Sequence, residues 1–156
     1  VKPVLIVVVA LVGAGLAWIR LAPSDPTRWH VAPRLPADLA PQPPGPEAVL
    51  PQTGGAHALI RLQGVTPEKA LAQLDAIARS TPRTVRLAGD PAQGRITWIT
   101  RSRLFGFPDY TTAEARAADG GAIVTIHARL RFGYSDMGVN AARLRDWLAR
   151  LADAQA

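Results

Sequence analysis

The sequence predicts a two-layer α+β domain, a mainly antiparallel sheet with helices on one face, preceded by one transmembrane helix. Three observations carry this expectation. Residues 4–19, VLIVVVALVGAGLAWI, are uncharged and strongly apolar, close to the roughly 17–25 residues a bilayer-spanning helix needs. A proline-dense stretch follows. After it come segments whose apolar residues repeat with a period of about 3.6 or 2, in the order β-α-β-β-β-β-α.

Residues 1–22 are expected to form the anchor. Lys2 precedes the apolar run, and Trp18 and Arg20 stand where an interfacial aromatic and a snorkelling cation belong. A cleaved signal peptide is the rival reading. Gly15-Leu16-Ala17 is a poor cleavage site and the apolar run continues to Ile19, so an uncleaved anchor is favoured. Lys2 argues for a cytoplasmic N-terminal side, whereas Arg20, Arg28 and Arg34 argue the other way. The short leading segment tips the expectation towards an exported C-terminal domain.

Residues 23–55 hold Pro23, Pro26, Pro33, Pro36, Pro41, Pro43, Pro44, Pro46 and Pro51 and end in Gly54-Gly55. Such a stretch is neither helix nor central strand. It reads as a semi-rigid polyproline spacer that holds the domain off the bilayer. Within it, Asp25 to His30 reads as an interfacial tryptophan with polar neighbours.

The folded domain is expected over residues 56–156. Residues 56–62 form a short apolar strand. Thr66 caps a helix with Pro67 in its first turn, and Leu71, Leu74, Ile77 and Ala78 give its buried stripe. Residues 84–87, 95–105, 109–117 and 122–132 are strands, with Asp119-Gly120 as a two-residue hairpin turn. Ser135 or Asp136 caps a last helix, whose stripe is Leu144, Trp147, Leu148 and Leu151.

Alternation sorts the sheet faces. The turn at Asp119-Gly120 sets Glu114 opposite Thr125, Thr112 opposite His127 and Tyr110 opposite Arg129. Ile96, Trp98 and Leu104 are assigned to the buried face, which leaves Arg101 and Arg103 on the polar one, with Arg101 near Glu114. One face then carries Arg101, Arg103, Tyr110, Thr112, Glu114, His127, Arg129 and Arg131. An ordinary solvated face with weak cross-strand ion pairs is the plain account. The excess of arginine makes an anionic lipid, a glycan or an acidic protein surface the natural partner, through Arg101, Arg103, Tyr110, His127, Arg129 and Arg131. Gly133, Ser135, Asp136, Gly138, Asn140 and Arg143 are read as the strand-to-helix turn and its cap. The Asn140 amide faces the sheet and is expected to bond backbone near Gly133 or Ser135. Arg143 is expected to reach Asp136 or the sheet.

Arg101-Ser-Arg-Leu-Phe-Gly-Phe-Pro-Asp-Tyr110, followed by Arg129-Leu-Arg-Phe-Gly-Tyr-Ser-Asp-Met-Gly-Val-Asn-Ala-Ala-Arg143, resembles the family called domain of unknown function 1499. The resemblance covers residues 56–153. Pro108-Asp-Tyr-Thr-Thr112 departs from the more acidic run that members often carry. Members occur in bacteria and plant plastids, so the resemblance implies an exported or organelle-lumen setting; the expected address is a bacterial inner membrane with the soluble domain in the periplasm. It implies no reaction.

Composition excludes several classes. The chain has no cysteine, which removes disulfides, thiol catalysis and thiolate metal sites. Its net charge of +6 rests almost wholly on arginine, which high-GC coding explains better than a dedicated anionic partner does. His30, His57 and His127 are scattered without metal-ligand spacing, so neither metal nor cofactor is expected. No phosphate loop or nucleophile elbow is present, and nucleic-acid binding is disfavoured by the few exposed aromatics. The preferred reading is a membrane-anchored accessory module. The enzyme alternative is a small hydrolase using His127 with Ser135 or Asp136.

Overall fold

The computed structural model describes residues 2–156; Val1, which the anchor expectation includes, lies outside the described residues. The apolar run forms helix α1 (Lys2–Leu21), with a mean hydropathy of 2.5 over its best window and no buried residue. Twenty residues give about 30 Å of helix, the thickness of a bilayer's hydrocarbon core. The helix is therefore long and apolar enough to cross a membrane.

Six strands make one antiparallel sheet: β1 (Val49–Gln52), β2 (Gly55–Gln63), β3 (Thr84–Asp90), β4 (Arg95–Arg101), β5 (Pro108–Ala118) and β6 (Gly121–Leu130), in the spatial order β1-β2-β6-β5-β4-β3. Helices α3 (Pro67–Ser80) and α4 (Val139–Asp153) cover one face. Thr66 caps α3 as expected, its hydroxyl accepting from the Lys69 amide at 3.2 Å. The core between the layers gathers Ile60, Leu62, Leu71, Leu74, Ile96, Ile126, Leu144, Leu148 and Leu151. Trp98 and Trp147 meet edge to face at 5.6 Å. Both buried indoles satisfy their N–H, Trp98 on Asp75 and Trp147 on Thr81, as buried donors must. Burial pushes the Asp75 carboxyl up, but hydrogen bonds from Arg86 and Trp98 override it and hold Asp75 below its ordinary range.

The β5–β6 register is the one the hairpin turn implies: Tyr110 faces Arg129, Thr112 faces His127 and Glu114 faces Thr125. The β4 assignment is corrected. That strand ends at Arg101, and residues 102–107 form a closed turn in which the Ser102 amide donates to the Phe107 carbonyl and the Gly106 amide to the Ser102 carbonyl. Leu104, expected in the core, is exposed at the tip. Glu114 pairs with Arg95 at 2.7 Å, not with Arg101, whose register partner is Pro108.

The proline-rich segment is corrected as well. It does not stand off as a spacer. Val49–Gln52 pairs with β2, placing Pro51 on an edge strand, the sheet position that tolerates a missing donor. Gln42 bridges to Ile60 through backbone hydrogen bonds with Leu59 and Arg61. Asp25 caps a one-turn helix, α2 (Pro26–Trp29), and Trp29 is buried against the sheet face that the long helices leave open.

Candidate functional site

The expected basic face is largely covered by the chain itself. Trp29 stacks on Tyr110 with ring centroids 3.9 Å apart. The guanidinium carbons of Arg28, Arg129 and Arg131 lie 5.2, 5.4 and 6.0 Å from the Trp29 ring, within cation–π range. Arg129 donates to the Trp29 carbonyl at 2.7 Å, and Arg131 donates to the Pro23 carbonyl and the Tyr110 hydroxyl. His30 meets Thr97, which meets Thr112. Tyr110 and Thr112 are fully buried.

His127 lies farther along the same face. It stacks on His57 at 4.4 Å, and Gln52 bonds both rings. Burial first, then the neighbouring His57 and Arg129, push His127 down to about 4, so it is neutral at pH 7. Ser135 and Asp136 engage other groups: the Met137 amide bonds Ser135, and the Gly138 and Asn140 amides bond Asp136. The residues of the hydrolase alternative thus share no hydrogen bond with one another.

A second cluster forms where the turn after β4 meets the first turn of α4. Asp109 alternates onto the helix-facing side of β5, where it accepts from the Asn140 amide nitrogen at 3.1 Å and lies 3.9 Å from Arg143. Arg143 also donates to the Asn140 side-chain oxygen. Asn140 therefore bonds across to the sheet, and the expected backbone partners near Gly133 or Ser135 are corrected. Burial, with Asp136 adding repulsion, lifts Asp109 to about 6 in spite of Arg143 and Asn140. Arg143 itself is only 8% exposed along its side chain, and its Nε has no partner.

This cluster floors a cleft of about 390 Å³, whose walls carry Arg83, Arg101, Arg103, Arg143, Asp109 and Asp146. Arg101 and Arg103 therefore line this cleft rather than extending the Arg129 and Arg131 face. Arg101 also donates to the Gly106 carbonyl, which fixes the turn. Arg83 is held by reciprocal bonds with Arg101, its Nε donating to the Arg101 carbonyl and its carbonyl accepting from the Arg101 amide. Its φ is +60°, and Met137, in the turn leading to α4, has a φ of +50°. Among the described residues these two are the only non-glycines in the left-handed region. Such conformations cost energy and concentrate at functional sites.

Sequence reading missed Arg83 and Asp109 as site members. The signal for Asp109 was its parity with Ala113 and Ala115, which places it with the apolar face. Another hollow of about 360 Å³, between Pro41, Pro43, Pro44 and Arg61, carries a single charged side chain. Among the described residues no group of three or more histidines, cysteines or carboxylates is placed to hold a metal ion.

Six of the residues that carry the resemblance, Arg101, Ser102, Asp109, Asp136, Asn140 and Arg143, thus meet at or beside one cleft, while Tyr110, Arg129 and Arg131 lie on the Trp29 face. The family model for proteins of unknown function (DUF1499) matches residues 38–151, beginning inside the proline-rich stretch. No curated protein and no solved structure matches the chain. The chain belongs to the DUF1499 family of proteins of unknown function.

Proposed function

We propose that the domain is a membrane-tethered binding module that receives an anionic group in the arginine cleft, with its tether in a bacterial inner membrane and the domain on the periplasmic side. One observation carries the reading. Arg143 is nearly buried with an unpartnered Nε, beside a cleft that holds three further arginines. Opposing them are Asp109 and Asp146, and Asp109 is shifted towards its neutral form. Guanidinium groups recognise carboxylate and phosphate through paired donors, which suits a lipid headgroup, an acidic glycan or an acidic protein side chain. The sheet-face version of this reading is weaker, because Arg129 and Arg131 already serve Trp29, Pro23 and Tyr110.

Inorganic phosphate is the probe. It should raise the thermal midpoint of the full chain in a saturable way, while chloride at equal ionic strength does not. The pair Arg83→Gln with Arg103→Gln should abolish that response. Arg129→Gln should lower stability yet retain it. An equal response from wild type and the double variant would place the anion elsewhere and end the proposal.

A further inference from the structure

We infer that the end of the domain bearing residues 102–107 and 132–139 rests on the bilayer that α1 spans, with Leu104 and Phe105 inserted at the interface. This goes beyond the cleft proposal and rests on the anchor reading alone. The argument begins with apolar exposure. Leu104 is 78% exposed, Phe105 45% and Val139 53%, and Tyr134 (86%) and Met137 (91%) are exposed on the segment that leads into α4. Phe105 stacks on Phe107 at 5.6 Å, Phe107 meets Phe132 at 6.4 Å, and Val139 shares the cleft wall with Ser102 and Arg103. Contiguous exposed apolar surface rimmed by polar groups marks an interaction site. Arg103 and Arg131 supply such a rim, and Arg131 lies 4.9 Å from the Phe132 ring.

The tether identifies the occupant. Arg20, in the last turn of α1, packs so closely on Gly106 that a Cβ there would meet its guanidinium at 2.8 Å. Directly after α1, Ala22 is buried, the Pro23 carbonyl takes a bond from Arg131, and the Ser24 hydroxyl bonds Tyr110 at 2.7 Å. The connection therefore has no slack. A helix end fixed against Gly106 brings the neighbouring Leu104 and Phe105 to the level where α1 leaves the hydrocarbon. Aromatic and arginine side chains favour that depth, with rings at the headgroups and cations reaching anionic lipid. The turn is also closed on itself by Ser102, Gly106 and Phe107, so it enters the interface without leaving those backbone groups unpaired.

Because the chain has no cysteine, single labels are unambiguous. The full chain carrying Leu104→Cys, or separately Asp119→Cys at the opposite end of the sheet, is spin-labelled and reconstituted in vesicles of phosphatidylcholine and phosphatidylglycerol. Docking predicts that the label at 104 loses access to a water-soluble relaxation agent and gains access to oxygen, while the label at 119 stays water-exposed. Alkaline carbonate extraction of the same vesicles reports the anchor separately. Retention of the chain with both labels equally wet would overturn the docking alone. Release of the chain by carbonate would overturn the anchor and the docking together.

Discussion

Two groups of arginines sit on this domain, and they differ in what they face. Arg129 and Arg131 emerge from a strand and its end, and meet a tryptophan ring and backbone carbonyls supplied by the chain's own segment. Arg83, Arg101, Arg103 and Arg143 line a cleft together with Asp146 and Asp109, whose pKa burial raises to about 6. The residue type and charge are the same, yet the first group joins two parts of the fold and the second lines the cleft proposed to receive an outside anion. Count of positive charge does not separate a binding surface from an internal joint. What separates them is the ring: Arg83 and Arg101 also donate to carbonyls, but among the described residues only the first group lies over an aromatic side chain.

The largest effect expected from breaking the comparison is at Trp29. Replacing it with alanine removes a stacked, nearly buried ring and the partner of three guanidinium groups. Loss of a buried large aromatic costs about 3–5 kcal/mol. Denaturant unfolding should show a loss of that order, and hydrogen exchange should show the amides of residues 22–30 released first. The phosphate response of the cleft should survive. If Trp29→Ala left both stability and exchange unchanged, the covered face would not be a structural joint.

Titration separates the two regions by sign. His127 has a folded pKa of about 4, below the ordinary histidine value, so the unfolded state binds its proton first. Stability from this group is full above about pH 6.5 and is lost as pH falls towards 4. Asp109 behaves in reverse. Its folded pKa, near 6, lies above the usual carboxylate value, so the folded state holds the proton more tightly. Stability falls as pH rises through the window from about 4 to 6. Each shift corresponds to about 3 kcal/mol before solvent screening, which lowers the contribution of the part-exposed His127. Urea midpoints at several pH values should show His127→Gln flattening the acid-side loss and Asp109→Asn steepening the net loss on acidification. Identical profiles for the two variants would mean that neither group titrates in the environment described.

Asn140 gives a smaller and more local effect. Asn140→Ala removes the amide that joins Asp109 to Arg143, leaving two buried polar groups short of a partner, at about 1–3 kcal/mol. Thermal unfolding should show that loss. The amide exchange of residues 22–30 should not change, since that segment lies on the other sheet face.

How much of this was legible in the sequence follows from how local each determinant is. The β5–β6 register was readable because a two-residue turn at Asp119-Gly120 fixes the pairing of every residue behind it. Burial of Asn140 was readable from the helical stripe. Its partner was not, because Asp109 lies 31 residues away and only tertiary packing joins them. Arg101 and Leu104 were misplaced because a period of 2 was carried through residues 102–107, where the chain turns and Gly106 adopts a φ of +70°. The proline-rich stretch was misread for a different reason. Proline excludes helix interiors and central strands, but it leaves edge strands and docked extended segments open. The neglected signal was Asp25-Pro26-Thr27, a capped helix start that presents Trp29 on a fixed turn.

The smallest expected effect concerns Arg83, and it tests whether the cleft is maintained at a cost. A non-glycine residue at a φ of +60° carries roughly 1–2 kcal/mol of steric penalty, from which glycine is exempt. Glycine returns about 0.5–1 kcal/mol of that advantage through its greater unfolded-state freedom. The exposed bond from Arg83 Nε to the Arg101 carbonyl is also lost. Arg83→Gly should therefore be neutral or more stable by up to about 1 kcal/mol, while the saturable stabilisation by phosphate weakens. Stability retained with binding reduced is the pattern of a strained residue kept for what it contacts. Reduced stability with unchanged phosphate response would instead make Arg83 a second internal joint, of the same kind as Arg129, and the contrast between the two arginine groups would then rest on Arg101, Arg103 and Arg143.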